Sequence, residues 1–298
     1  MKQLNFASID IGSNAIRFLL CYVFETPQGP FFRKGILLRV PLRLGDDAFK
    51  LGRISKEKEK KMIETMLCFK HLMATQEIID YKALATSAMR DASNGKKIVA
   101  HIAEEVGIDI QIVSGEEEAN VISGDSKPPE FLHTRGNLLY VDVGGGSTEM
   151  TFHTKKKTIR ESFNIGTIRY LTNQVDEAEW LRLKEWLKEH NLYDSGVNIL
   201  GSGGNINKIY KIKRRRSADF HLNVSALEEY YNLIKDLSYE ERIIQHNLNP
   251  DRADVIIPAS QIFLRIIEKT KSKRIYVPKT GLSDGIVRSL YANYKSLK

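Results

Sequence analysis

The residues best suited to chemistry stand where apolar runs end in glycine. The run Tyr140-Val-Asp-Val-Gly-Gly-Gly-Ser-Thr-Glu149 delivers an acid, three glycines, two hydroxyls and a second acid. Gly144, Gly145 and Gly146 carry no side chains, so their N–H groups and that of Ser147 can close around an anion. Asp142 and Glu149 offer the oxygen ligands that Mg²⁺ requires. They flank a turn on two strands and need not converge, so Asp142 is the stronger ligand candidate and Glu149 could instead brace the loop. A weaker copy, Ser8-Ile-Asp-Ile-Gly-Ser-Asn14, offers Gly12, Ser13 and Asn14. Gly201-Ser-Gly-Gly204 precedes a helical pattern, where Gly203 and Gly204 could hold a further phosphate on a helix N-terminus. Two acidic glycine loops in one chain suggest two lobes facing one phosphate across a cleft, with closure on ligand.

Removing a terminal phosphate needs a clamp, charge neutralisation and an oriented water. Arg90, just after a strand ending at Thr86, can meet a phosphate as a planar fork, or pair with Asp91 or Glu116. Arg17 reads as structural, buried beneath its loop with an acidic partner. Glu116-Glu117-Glu118 supplies candidate bases. Consecutive helical residues point in different directions, so at most two can face a site, and all three would also favour a helix N-terminus.

With 298 residues, 42% hydrophobic and 28% charged, the chain has the composition of a globular protein long enough for two domains. The net charge of +8 suits a polyanionic partner. The charge is dispersed except in Lys211–Arg216, which reads equally as a solvated stretch or a substrate-facing patch. Cys21 and Cys68 sit in apolar runs as small hydrophobes of a reducing compartment. Neither a signal peptide nor a membrane span is legible, so a cytoplasmic protein is expected, with neither membrane nor nucleic acid as partner.

The elements that must position these residues follow from periodicity. Strands are expected at Asn5–Ile11, Ile16–Val23 and Gly35–Leu44. A helix capped by Ser55 follows, with Met62, Met66, Phe69 and Met73 on one face. Then come a strand at Lys82–Thr86, a helix from about Ala88 to Glu105, a strand at Ile108–Val113 and an acidic helix from Gly115. Ser123–Gly136, with its glycines and prolines, is the candidate boundary. The order then repeats, with strands at Asn137–Asp142, Thr148–His153, Thr158–Asn164, Val197–Leu200 and Arg274–Pro278. Helices are expected at Glu177–His190, from near Asn205, and at Val224–Leu237, Arg252–Lys269 and Leu282–Tyr294. The expected domains are residues 1–126 and 127–298, with helix 284–298 a candidate to pack back on the first. Strands, not helices, follow the two acidic loops, which argues against a dinucleotide fingerprint.

These motifs, in this order, resemble the Ppx/GppA phosphatases of the actin-like superfamily. Asp10-Ile-Gly-Ser-Asn-Ala-Ile-Arg17 is similar to D-x-G-S-N-S-x-R, and Asp142–Glu149 to D-I-G-G-G-S-T-E. Ala85–Ala92, Ser114–Ala119, Gly201–Asn205 and Arg252–Asp254 match further patterns. Ala15, Asn205 and Ser283 depart from them. The resemblance implies an α/β fold of two duplicated ribonuclease H-like domains with an interdomain cleft. It implies a phosphoric anhydride hydrolase using Mg²⁺, in which Glu118 is the general base. The expected activity is release of terminal orthophosphate from inorganic polyphosphate. Guanosine pentaphosphate 5′-phosphohydrolysis is the alternative, and a non-catalytic polyphosphate or alarmone sensor a third reading. Long members continue into a helical module similar to the HD hydrolases. No His-Asp dipeptide occurs here, so a short form acting on shorter chains or on a different phosphate ester is expected. A homodimer is expected from base rates alone.

Overall fold

A computed structural model describes residues 2–123, 137–154, 157–213 and 221–297. The chain divides into two compact units, residues 1–124 with 281–298, and residues 125–280. The expected boundary at Ser123–Gly136 lies, from residue 124 on, outside the described residues.

In unit 1, β1 (Gln3–Ile11), β2 (Ile16–Thr26) and β3 (Gly29–Val40) form an antiparallel meander, and β4 (Asp80–Ala85) and β5 (Ile110–Ile112) extend it in parallel. The sheet order is β3-β2-β1-β4-β5. β1 is central and almost wholly buried, as its apolar run requires. β3 starts six residues earlier than the sequence pattern suggested. Gly29, at φ 115°, closes a tight hairpin in which the Thr26 hydroxyl donates to the Gly29 carbonyl, so the ladder begins at once. Leu44, expected in that strand, instead opens α1 (Leu44–Leu51), because Arg43 turns the chain left-handed at φ 51°.

Ser55 caps α2 (Lys56–Ala74), and Met62, Met66, Phe69 and Met73 are its buried stripe. The single helix expected over 88–105 is two, α3 (Ser87–Asp91) and α4 (Gly95–Val106). Asn94 separates them: its side chain accepts from the Ile54 N–H and donates to the Ile54 carbonyl, a pairing a continuous helix would preclude. α5 (Gly115–Ser123) follows β5. The last helix, which we label α13 (Leu282–Ser296), packs here and not at the end of unit 2. Its Leu282, Ile286, Val287 and Leu290 enter a core with Leu4, Phe6, Leu19, Val23 and Leu84. Tyr291 and Lys295 both donate to Glu25 on β2.

In unit 2, β6 (Leu138–Val143), β7 (Thr148–His153) and β8 (Thr158–Phe163) form the meander, with β9 (Asn198–Ser202) and β11 (Arg274–Tyr276) added in parallel. The order β10-β11-β9-β6-β7-β8 repeats that of unit 1 and adds an unexpected edge strand, β10 (His221–Asn223). Each unit is thus a ribonuclease H-like α/β layer. The helices of unit 2 are α6 (Thr167–Leu171), α7 (Glu177–Glu189), α8 (Gly204–Lys213), α9 (Val224–Ile234), α10 (Tyr239–His246), α11 (Pro250–Ala253) and α12 (Ile256–Thr270). The helix expected from Arg252 is therefore a short turn followed by a fresh start at Ile256. Leu139, Val141 and Val143 of β6 face the main core with Met150, Phe163, Trp180, Leu183, Ile209 and Phe263. The alternate residues Leu138 and Tyr140 lie with Leu200 and Tyr276 on the other face. Among the described residues, no helix is long and apolar enough to cross a membrane.

Candidate functional site

The two acidic glycine loops are the same turn built twice. In unit 1 the Gly12 N–H donates to the Ala15 carbonyl at 3.2 Å, and in unit 2 the Gly144 N–H donates to the Ser147 carbonyl at 2.9 Å. Ala15 therefore serves the turn through its backbone, and its missing hydroxyl does not disturb the closure. The residues flanking each turn stand directly opposite across the hairpin, Asp10 with Arg17 and Asp142 with Glu149. Directly opposed residues share a face of the sheet, so Asp142 and Glu149 stand on the same face.

The flanking charges differ in sign. Arg17 donates to Asp10 at 2.7 Å, neutralising an acid that is only 2% exposed. The Arg17 side chain is 34% exposed, so it lies beside its loop rather than buried beneath it. In unit 2 two carboxylates oppose each other, an arrangement that costs stability unless a cation or hydrogen-bond donors intervene. Glu149 is 3% exposed and accepts a 3.0 Å hydrogen bond from Ser162. Two hard oxygen donors on one face suit Mg²⁺, whose octahedral shell substrate and water oxygens commonly complete. Among the described residues, no group of three or more His, Cys, Asp or Glu side chains assembles as a metal site.

The triple-glycine turn is held from behind. The N–H groups of Thr167, Ile168 and Arg169, at the start of α6, donate to the carbonyls of Gly144 and Gly145, and Arg169 Nε donates to the Gly146 carbonyl. With those carbonyls engaged, the turn is pinned to the start of α6. Gly166 makes the seat possible: a Cβ there would stand 2.3 Å from the Gly146 carbonyl carbon. The Thr148 hydroxyl is committed to the Ile165 carbonyl and Ser147 is buried. Sequence reasoning missed this support, although a lone glycine just after the strand run ending at Asn164 was a visible sign of close approach.

Gly203 and Gly204 stand beside Asp142, since β6 and β9 are parallel neighbours with Asp142 opposite Ser202. Gly203 has φ 110°, and a Cβ would lie 2.7 Å from the Val143 carbonyl oxygen and 3.2 Å from Asp142 Oδ1. Only glycine fits there. Gly204 opens α8, and its carbonyl accepts from Arg252. Of the basic run, Lys211 and Lys213 end α8, where Lys213 pairs with Glu229; residues 214–216 lie outside the described residues.

Unit 1 sorts the three glutamates that the sequence left open. The Glu117 N–H donates to Ser114 Oγ while Glu117 Oε2 accepts from the Ser114 N–H, a capping box that holds the Glu117 carboxyl below its usual range. Glu116 is exposed. Glu118 alone turns inward, at 9% exposure. Its Oε2 lies 4.0 Å from Arg90 Nη1, which also donates to the Val113 carbonyl at 3.0 Å. Arg90 Nε stands 3.7 Å from Asp91, and no ion pair joins Arg90 to Glu116 among the described residues. The helix carrying Arg90 is tied to the first turn, because Ser87 Oγ and Ser13 Oγ are 2.9 Å apart and both buried. Asn14 is partly buried, and its carbonyl accepts from the Arg43 N–H. Turn, Arg90 and Glu118 thus form one connected arrangement in unit 1. Ser283, which departs from the motif patterns, lies buried where its carbonyl accepts from Ser8 Oγ.

Comparison with known proteins gives the family and the fold. A bifunctional 3-dehydroquinate synthase/phosphatase of Fusobacterium nucleatum is 27% identical over 292 residues, covering 88% of this chain and 43% of the relative. Exopolyphosphatase 1 of Mycobacterium tuberculosis is 28% identical over 208 residues, 65% of this chain and 57% of its own length. The chain thus spans about half the length of these two curated relatives. An exopolyphosphatase structure from Cytophaga hutchinsonii shares the fold, with TM-score 0.79 at 19% identity over 97% of this chain and 98% of that one. Residues 37–293 match the profile of one family. On that match, and with both turns in place, this chain belongs to the Ppx/GppA phosphatase family.

Proposed function

We propose that this protein is an exopolyphosphatase, hydrolysing the terminal anhydride of inorganic polyphosphate. The observation that carries the reading is the inward Glu118 beside Arg90 in unit 1, with its two neighbours excluded by capping and exposure. Glu118 accepts a proton from water as the water oxygen bonds to the terminal phosphorus. The bridging P–O bond breaks, orthophosphate departs, and the shortened chain leaves as an anion. Arg90 holds phosphate oxygens and keeps the Glu118 carboxylate oriented. The Gly12 and Gly144 N–H groups close their turns, so the N–H groups of Ser13 and Asn14 and of Gly145, Gly146 and Ser147 are the ones that grip phosphate, and those at Gly203 and Gly204 take a further phosphate of the chain.

Asp142 and Glu149 would hold Mg²⁺. Bound there, the ion would neutralise charge on the phosphate oxygens. Curated relatives named as exopolyphosphatases support polyphosphate as the substrate class. Phosphate release is measured with Mg²⁺ on short polyphosphate, long polyphosphate and guanosine pentaphosphate. Release from polyphosphate is expected, and none at any length would overturn the proposal. Faster release from guanosine pentaphosphate would make it the nucleotide-directed enzyme. Glu118→Gln should lower kcat by about 10²- to 10⁴-fold with substrate binding retained.

A further inference from the structure

One polar rung crosses four strands of the unit 2 sheet. Ser202 on β9 is opposite Asp142 on β6, Asp142 is opposite Glu149 on β7, and Glu149 is opposite Ser162 on β8. Residues in such register share one face. Ser162 Oγ donates to Glu149 Oε1 at 3.0 Å. Ser162 is itself fixed, because its carbonyl accepts from Arg182 Nη2. Arg182 pairs with Glu161 at 2.6 Å and Glu179 at 2.9 Å and stacks on Phe163 with its guanidinium carbon 4.4 Å from the ring centre.

Unit 1 supplies an internal comparison. The corresponding rung there is Leu84, Asp10, Arg17 and Arg39. Where that rung has a built-in cation at Arg17, unit 2 has Glu149. Where it has Arg39, unit 2 has the small hydroxyl of Ser162. The hydroxyl thus accompanies the one rung that presents two acids.

We infer that Ser162 is a positioning residue for a divalent cation, its hydroxyl holding Glu149 in the orientation from which Glu149 and Asp142 bind the ion. The inference rests on the proposed role of that acidic pair. The physical reason is that a carboxylate 3% exposed is oriented by its protein partners rather than by water. Losing such an outer partner commonly weakens metal binding by about 10- to 100-fold.

The test is titration of the full chain with Mg²⁺ by calorimetry, and with Mn²⁺ by electron paramagnetic resonance, both without substrate. Wild type should bind and Asp142→Asn should not. Ser162→Ala should bind about 10- to 100-fold more weakly. Ser162→Cys, similar in size but a poor donor, should behave like Ser162→Ala. Ser162→Thr keeps the hydroxyl on a strand-favouring side chain and should restore wild-type affinity. Turnover of the Ala and Cys variants should recover at high Mg²⁺. If both bind Mg²⁺ as wild type does while Asp142→Asn does not, the role of Ser162 is refuted. If Asp142→Asn binds like wild type, the acidic pair itself is not the cation site.

Discussion

Gly285 sits where α13 meets α5, and replacing it with alanine should disable the proposed base, Glu118, without touching it. A Cβ at Gly285 would lie 2.0 Å from the Val121 carbonyl oxygen and 2.7 Å from its carbon. Both are backbone atoms, so no rotamer change relieves the clash. Ordinary contact requires the helices to part by about 1.4 Å. Val121 lies one turn beyond Glu118 on the same helix, so a shift of α5 carries Glu118 with it. A misplacement of about 1 Å in a reacting group can cost about 100-fold in rate, or ~2.7 kcal/mol in the barrier. Overpacking should also cost about 1–3 kcal/mol of stability. The assay is steady-state phosphate release with the fold verified by near-ultraviolet circular dichroism. kcat should fall about 100-fold while KM changes little, since the glycine turns lie outside α5 and α13. Ile286→Val is the control, because it loosens the same helix by about 0.5–1.5 kcal/mol without driving it from α5. A folded Gly285→Ala protein with wild-type kcat would refute the reasoning, as would an equal loss in Ile286→Val.

Two further expectations concern stability. The Tyr230 hydroxyl is buried with no hydrogen-bond partner among the described residues, and burial pushes its pKa up to about 12. Tyr230→Phe should leave stability unchanged or raise it by about 1 kcal/mol, read from the urea midpoint; a clear loss would mean the hydroxyl has a partner after all. His101 lies between Glu59 and Glu105, joining α2 to α4, and the bond to Glu59 raises its pKa. A raised histidine pKa contributes stability in full below about pH 6.5 and loses it as pH rises through the folded-state value. The advantage of wild type over His101→Gln should therefore be greatest at acidic pH and vanish above neutrality, and an advantage that grew with pH would contradict it.

Much of the site was legible because its determinants are local. Three glycines between acids announce a tight turn between strands, and Ser55 with the Met62–Met73 stripe announces α2. Gly203 and Gly204 at the mouth of a helix were visible for the same reason. Other features were illegible because they depend on distant partners. The break between α3 and α4 comes from the bond between Asn94 and Ile54, and the seat of the triple-glycine turn from α6, about twenty residues on. Glu116, Glu117 and Glu118 are indistinguishable as letters; the Ser114–Glu117 cap and the packing of α5 tell them apart.

Taken alone, the sequence determined the α/β character, the duplicated order of elements and the two turns, since periodicity, glycine content and capping act within a few residues. Only the tertiary structure decided that Asp142 and Glu149 share a face, because strand register is set by the whole ladder and a one-residue slip would part them. It also decided that Arg17 answers Asp10 in one unit while Ser162 answers Glu149 in the other. And it decided that the final helix buries its apolar stripe beneath the first sheet, where Leu4, Phe6 and Leu19 need covering.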